Sequence, residues 1–189
     1  MDSAVQRFPL TIRLLHLGLI LFGIGSYLTG EMADIEDSGS RSGYLLHAYL
    51  GLSLLVFLLG RLGYGFAGPA EASFRQWNPF TRAQLRAVRE DFLTLLRFRL
   101  PQRELHVGLA GLVQGFGFAI FLWMAQTGTL IFALGGTDAS GFARELGELH
   151  EEGDILILVF LAMHVGAVVL HELSGHRIWK RISPFHHGE

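Results

Sequence analysis

The 189-residue sequence contains no cysteine. This absence excludes disulfide bonds, iron–sulfur clusters held by cysteine thiolates and a haem attached through a Cys-x-x-Cys-His motif. Charged residues are also scarce, at 17%, against about 25% in a typical soluble domain. The formal net charge is −2, so the composition does not favour a nucleic-acid partner. Half of the residues are hydrophobic, and nine histidines remain as the main candidate metal ligands.

Long apolar segments are the dominant feature of the chain. Four of them, at residues 8–29, 44–66, 106–134 and 150–173, are long enough to cross a bilayer, which takes about 20 residues. The first segment is not followed by the small-residue cleavage pattern of a signal peptide, so we expect it to be retained. The sequence therefore predicts one all-α domain over residues 1–189, an integral membrane four-helix bundle.

The loops between these segments differ in charge. The first and third loops are mainly acidic, whereas the second loop carries seven arginines and the C-terminal tail three basic residues. The arginines of the second loop are Arg75, Arg82, Arg86, Arg89, Arg97, Arg99 and Arg103. Because positively charged loops stay on the cytoplasmic side, both termini and the second loop are predicted to be cytoplasmic.

The second loop also shows helical spacing of apolar residues. In TRAQLRAVREDFLTLLRFRL, Leu85, Val88, Phe92, Leu95 and Leu96 recur near the period of a helix. This pattern predicts a basic amphipathic helix on the cytoplasmic membrane surface. A solvated connecting helix is the alternative.

Four histidines fall at two depths of the predicted spans. His47 and His150 each open a span that begins outside, whereas His16 lies near the start of a span that begins inside. His164 follows His150 by fourteen residues, about 21 Å along a helix at about 1.5 Å per residue, which is too far to share one metal ion. The sequence therefore predicts an outer pair, His47 with His150, and an inner pair, His16 with His164.

Two histidine pairs at two depths suit two non-covalent haems b, because haem iron accepts axial imidazoles from both faces of the ring. A structural role for each histidine is the alternative, although ionisable residues inside a membrane are usually functional. Arg13 lies one turn from His16, and Arg61 shares the His47 face at the inner level. Either arginine could bind the propionates of the inner haem, or could instead extend to the membrane edge.

Three segments, RLLHLGL, LLHAYLGLSLLVFLLGRLGYGFAGP and ELHEEGDILILVFLAMHVGAVVLHEL, resemble bacterial di-haem membrane cytochromes b. This superfamily includes cytochrome b561 and the b-type subunits of nickel–iron hydrogenases and formate dehydrogenases, and the resemblance extends from Phe8 to Ile182. It implies the same two ligand pairs, a location in the bacterial inner membrane, and electron exchange between quinone and a periplasmic partner, either a c-type cytochrome or a metalloenzyme. The chain departs from it at Leu17, where many members have tryptophan, and at His106, whose role stays open.

Residues near the two histidine pairs predict a quinone pocket and a docking surface for the partner. The quinone pocket is expected near the inner pair, at Arg13, His16, Arg61 and His171, although His171 could instead lie at the membrane interface. Acidic residues of the first and third loops are expected to form a rim that attracts a basic partner. They are Glu31, Asp34, Glu36, Asp37, Asp138, Glu145, Glu148, Glu151 and Glu152. The remaining histidines, His176, His186 and His187, are expected to be solvated tail residues.

Two other functions remain compatible with the sequence. One is a stand-alone oxidoreductase that takes an electron from a small molecule such as superoxide and reduces quinone. The other is a metal-ion transporter lined by histidines. The distance between the two histidine pairs argues against a transporter, as does the lack of acidic residues in the middle of the spans.

Overall fold

The computed structural model describes residues 7–33, 40–69, 73–74, 81–103 and 107–185. The regular structure of these residues is helical. In chain order the α-helices are α1 (Leu10–Leu28), α2 (Gly30–Ala33), α3 (Arg41–Ala67), α4 (Arg82–Leu96), α5 (Leu109–Leu134), α6 (Gly141–Glu151), α7 (Gly153–Leu173) and α8 (Trp179–Ile182). A short 3-10 helix, Thr137–Ala139, lies between α5 and α6.

Four helical stretches are long and apolar enough to cross a membrane: α1, α3, α5 and the run Gly141–Leu173, which joins α6 to α7. This confirms the predicted all-α class with four spans. His106, at which the predicted third span begins, lies outside the described residues. So do Asp34, Glu36, Asp37, Arg75, His186 and His187. The cytoplasmic placement of the termini stays a prediction.

The fourth span differs from its prediction at the start. The apolar run suggests a helix that begins at His150, but helical structure begins at Gly141, and His150 lies in the last turn of α6. The oxygen of the Ser140 side chain accepts a hydrogen bond from the Ala143 amide and caps the new start. Hydropathy misses α6 because only one face of it is buried, at Ala143, Leu146 and Gly147.

The chain forms two compact units. One consists of Pro9–Leu62 and Ile120–Ile157 and is called here the His47 unit; the other consists of Met1–Phe8, Gly63–Ala119 and Leu158–Glu189 and is called the His164 unit. In the His47 unit, a β-carbon at Gly18 of α1 would lie 2.1 Å from Cδ1 of Phe57 in α3, so only glycine allows this approach. In the His164 unit, a β-carbon at Gly117 of α5 would lie 2.3 Å from Cε2 of Phe160 in α7.

The helix between the second and third spans, α4, is held by a buried carboxylate. Asp91 is 3% exposed, and its side chain accepts hydrogen bonds from the Arg103 guanidinium and, at 3.0 Å, from the backbone amide of Leu109 at the start of α5. Hydrogen bonds to Asp91 and Glu90 raise the pKa of Arg103. The carboxylate therefore joins α4 to the first turn of α5, where a negative charge is favourable.

A second face of α4 exposes apolar side chains. Leu85, Phe92 and Leu96 are each more than half exposed, whereas Gln84, Ala87 and Asp91 are buried. The helix thus has the amphipathic character that its sequence predicts. Its position on the cytoplasmic membrane surface stays a prediction.

Candidate metal centre

The His47 unit brings two of the candidate ligands together. The imidazole of His47, from α3, and that of His150, from the last turn of α6, have centroids 6.0 Å apart and planes inclined at 86°. Both side chains are half-buried. Two histidines that are 103 positions apart in sequence therefore face each other on separate helices.

The His47 ring is held by a backbone carbonyl. Its Nδ1 lies 2.9 Å from the oxygen of Ser26 in α1. A carbonyl oxygen can only accept a hydrogen bond, so Nδ1 carries the proton and donates it. The neutral ring then has its lone pair on Nε2, the nitrogen that remains for a metal.

The His150 ring is held by a side-chain hydroxyl. Its Nδ1 lies 2.8 Å from Oγ1 of Thr127 in α5. The single proton of that hydroxyl is directed to a carbonyl of the preceding turn, since Oγ1 lies 2.9 Å from the oxygen of Trp123 and 3.2 Å from that of Met124. The hydroxyl oxygen therefore accepts from Nδ1, and Nε2 of His150 is again the free nitrogen.

This donor set fits the axial ligands of a haem. The centroids of the two rings are 6.0 Å apart, and each ring would offer Nε2 to an iron held between them. Among the described residues no group of three or more His, Asp or Glu side chains could hold a metal ion, so a bare tetrahedral site is not formed there.

Two buried hydroxyls of the His47 unit lack hydrogen-bond partners among the described residues. The hydroxyl of Ser26 and that of Tyr44, one turn before His47, are buried without a hydrogen bond there. Buried hydroxyls are normally satisfied. The Ser26 hydroxyl belongs to the residue whose carbonyl binds the His47 ring, so it is close enough to His47 to be satisfied by a haem held there.

The sequence profile described as prokaryotic cytochrome b561 matches residues 7–184. The chain belongs to the prokaryotic cytochrome b561 family. No curated protein and no solved structure gives a significant match. Membership means that this is a b-type haem protein of a bacterial membrane that transfers electrons across it. It favours electron transfer over the metal transport considered from the sequence.

The other candidate residues of this cytochrome are distributed over both units. His16 and Arg13 lie in α1 and Arg61 in α3, all within the His47 unit, whereas His164 and His171 lie in α7, within the His164 unit. Arg61 is 6% exposed, which is not the exposure expected of an arginine that extends to the membrane edge. The pairing of His16 with His164 stays a prediction.

His164 and His171 each contact another ring. The His164 imidazole stacks on Phe160 with centroids 5.3 Å apart and an angle of 18°. His171 lies 5.3 Å, centroid to centroid, from His176. His176 was expected to be solvated, but it is half-buried, and the Gln102 amide nitrogen lies 2.8 Å from its Nε2. The chain turns back at Gly175, with φ of +83°, which brings His176 toward His171.

Several acidic residues of the expected rim are exposed. They are Glu31, Asp138, Glu145, Glu148, Glu151 and Glu152. Glu145 and Glu148 lie on α6, the helix that also carries His150. The local charge at this end of the His47 unit is therefore compatible with a basic partner.

Sequence reasoning missed Ser26, Thr127 and Gly128 around the histidine pair. Thr127 is 23 positions from His150, and no motif relates the two. The only available signal was the pair of threonines around Gly128 near the end of a strongly apolar segment. Threonine is common enough there through hydrogen bonds to its own helix that this signal does not identify a ligand partner.

Proposed function

We propose that this cytochrome b561 binds two haems b, one between His47 and His150 and one between His16 and His164, and moves electrons across the membrane between quinone and a periplasmic redox partner. The observation that carries the proposal is the His47–His150 pair, in which both Nδ1 atoms are engaged by protein oxygens and both Nε2 atoms are left for iron. Bound haem supplies reversible one-electron chemistry at its iron.

The protein's own residues hold and orient the group. The Ser26 carbonyl and the Thr127 hydroxyl fix the two ligand rings in the tautomer that binds metal. The half-buried position of both rings limits the access of water, and solvent access is one of the factors that tune a haem potential.

The inner site is proposed from depth in the spans and from charge. A buried arginine such as Arg61 is well suited to a haem propionate, because guanidinium binds a carboxylate in a two-pronged geometry. Quinone dissolves in the bilayer, and we place its pocket around Arg13, His16, Arg61 and His171. The partner of the outer site is proposed to be a soluble protein with a basic surface, since acidic residues surround that end.

The haem-to-protein ratio of the purified cytochrome tests this function. A pyridine haemochrome assay is expected to give two haems per chain, and acid–acetone is expected to extract both, because no cysteine forms a thioether. A ratio of one or zero would overturn the di-haem proposal. Co-purification of a haem-containing or metal-containing partner would support the role of an electron-transfer subunit. Reduction of the isolated protein by superoxide as fast as by a c-type cytochrome would favour the stand-alone oxidoreductase.

A further inference from the structure

Thr127 is buried in the His47 unit and contacts the imidazole of His150. It is 8% exposed and lies on α5, with its Oγ1 2.8 Å from Nδ1 of His150. Its hydroxyl proton is directed to the carbonyls of Trp123 and Met124, 2.9 and 3.2 Å away. The oxygen is therefore fixed as an acceptor and cannot turn its proton toward the histidine without losing its bond to the helix.

The two rings of the pair are supported in different ways. His47 donates to the backbone oxygen of Ser26, which is present whatever side chain occupies that position. His150 donates to a side chain, so its support depends on the identity of one residue. His150 also lies in the last turn of α6, two residues before the turn at Glu152.

We infer that Thr127 is a positioning residue for the haem ligand His150. Thr127 holds the imidazole in its metal-binding tautomer and thereby tunes the reduction potential of the outer haem iron. The inference rests on the proposed outer site. A hydrogen bond from Nδ1 to an acceptor makes the imidazole a more basic ligand. A more basic ligand favours the ferric state over the ferrous state, so the bond lowers the reduction potential.

The expected size of the change in potential can be taken from residues that hydrogen-bond metal-ligating histidines in other proteins. Their removal typically costs about 10–100-fold in metal affinity. A tenfold loss that falls on the ferric state alone corresponds to a rise of about 59 mV for a one-electron couple. The reduction potential is therefore a readout that does not depend on electron-transfer activity.

Thr127→Val tests the inference, because valine keeps the shape of the side chain and removes the hydroxyl. Thr129→Val is the matched control: Thr129 lies two residues further along α5 and donates to the carbonyl of Ala125 at 2.6 Å. Thr127→Ser keeps the acceptor. In optical redox titrations of the purified holoprotein, Thr127→Val is expected to raise the reduction potential of one haem by about 59 mV, which lowers its oxidised-to-reduced ratio about tenfold at a fixed ambient potential. The other two variants are expected to stay close to the unmodified protein.

The ferric electron paramagnetic resonance spectrum gives a second measurement. Its anisotropy depends on the angle between the two imidazole planes, which is 86° in the structure. Thr127→Val should change the signal of one haem and Thr127→Ser should not; selective loss of that haem in Thr127→Val alone would also support the role. Equal potentials and spectra in Thr127→Val and Thr129→Val would overturn the inference. His150→Ala distinguishes this failure from failure of the proposed site, because a His150→Ala protein that keeps both haems contradicts the ligand assignment itself.

Discussion

A β-carbon at Gly128 would lie 3.1 Å from Cε1 of His150. This is tighter than nine in ten contacts of real β-carbons, so a side chain at this position would require the ring to move by a few tenths of an ångström. Gly128 follows Thr127 directly, and the two residues together define where the imidazole lies.

We predict that Gly128→Ala displaces the His150 ring. Alanine in place of glycine inside a helix normally stabilises a protein by about 0.5–1 kcal/mol. A loss of stability or of haem in Gly128→Ala would therefore report the contact with the His150 ring. The expected result is a lower content of one haem, or a shift in its reduced-minus-oxidised spectrum.

Gly141→Ala is the control for that change, because a β-carbon at Gly141 would meet nothing within 4 Å. It should leave both haems intact. A Gly128→Ala protein with the spectrum and haem content of the Gly141→Ala protein would show that the ring tolerates the extra carbon.

The histidine pairs make a prediction about which haem each residue serves. His47→Ala and His150→Ala should each remove the same haem, because their rings face each other. His16→Ala and His164→Ala should each remove the other one, according to their predicted depth. Resolved α-bands or separate potentials identify the haem that is lost.

His186→Ala, in the C-terminal tail, is the control for these four variants. The pairing would be wrong if His16→Ala and His150→Ala removed a common haem. Loss of both haems in every variant would instead indicate that folding depends on each ligand.

We expect the carboxylate of Asp91 to stabilise the connection between α4 and α5. Asp91→Asn keeps the size of the side chain but removes the charge that accepts from Arg103 and from the Leu109 amide. Hydrogen bonds to a charged group contribute about 1.5–3 kcal/mol each, so thermal unfolding in detergent should occur at a clearly lower temperature.

Glu90→Gln provides the comparison, because Glu90 binds the same arginine at 2.7 Å from a more exposed position. An exposed ion pair contributes about 0.2–1 kcal/mol. If the two variants unfolded at the same temperature, the buried carboxylate would not be the main link.

Salt dependence tests the acidic surface around α6. Reduction or oxidation of the outer site by a positively charged c-type cytochrome should slow as ionic strength rises, because the Debye length falls to about 10 Å at 0.1 M salt. Glu145→Gln and Glu148→Gln together should lower the rate at low salt and flatten its dependence on salt, while Glu90→Gln in α4 should not. A rate that is independent of salt in the unmodified protein would remove electrostatic docking from the proposal.

The four spans could be predicted from sequence because a bilayer imposes the length and the composition of each crossing segment. The approach of His47 to His150 could also be anticipated, since both residues occur at the same end of their apolar segments. The extension of the last span back to Gly141 could not, because α6 is polar on one face and its helical start depends on the Ser140 cap.

The groups that support the two rings were beyond sequence reasoning for a different reason. Ser26 acts through its carbonyl, an atom that every residue possesses, so its role leaves no trace in residue type. Thr127 acts on a residue of another helix, and its contact depends on how α5 and α6 rotate about their axes. His176 lies next to His171 only because of the turn at Gly175.

The lengths of α6 and α7 determine how far an electron has to travel from water. α7 has 21 residues, and at about 1.5 Å per residue it measures roughly 31 Å, which is the thickness of the hydrocarbon core by itself. His150 precedes α7, so we expect its ring to lie at the level of the headgroups when α7 crosses the hydrocarbon. A soluble donor or acceptor resting on the membrane surface would then be within tunnelling range of the site without inserting any part of itself into lipid.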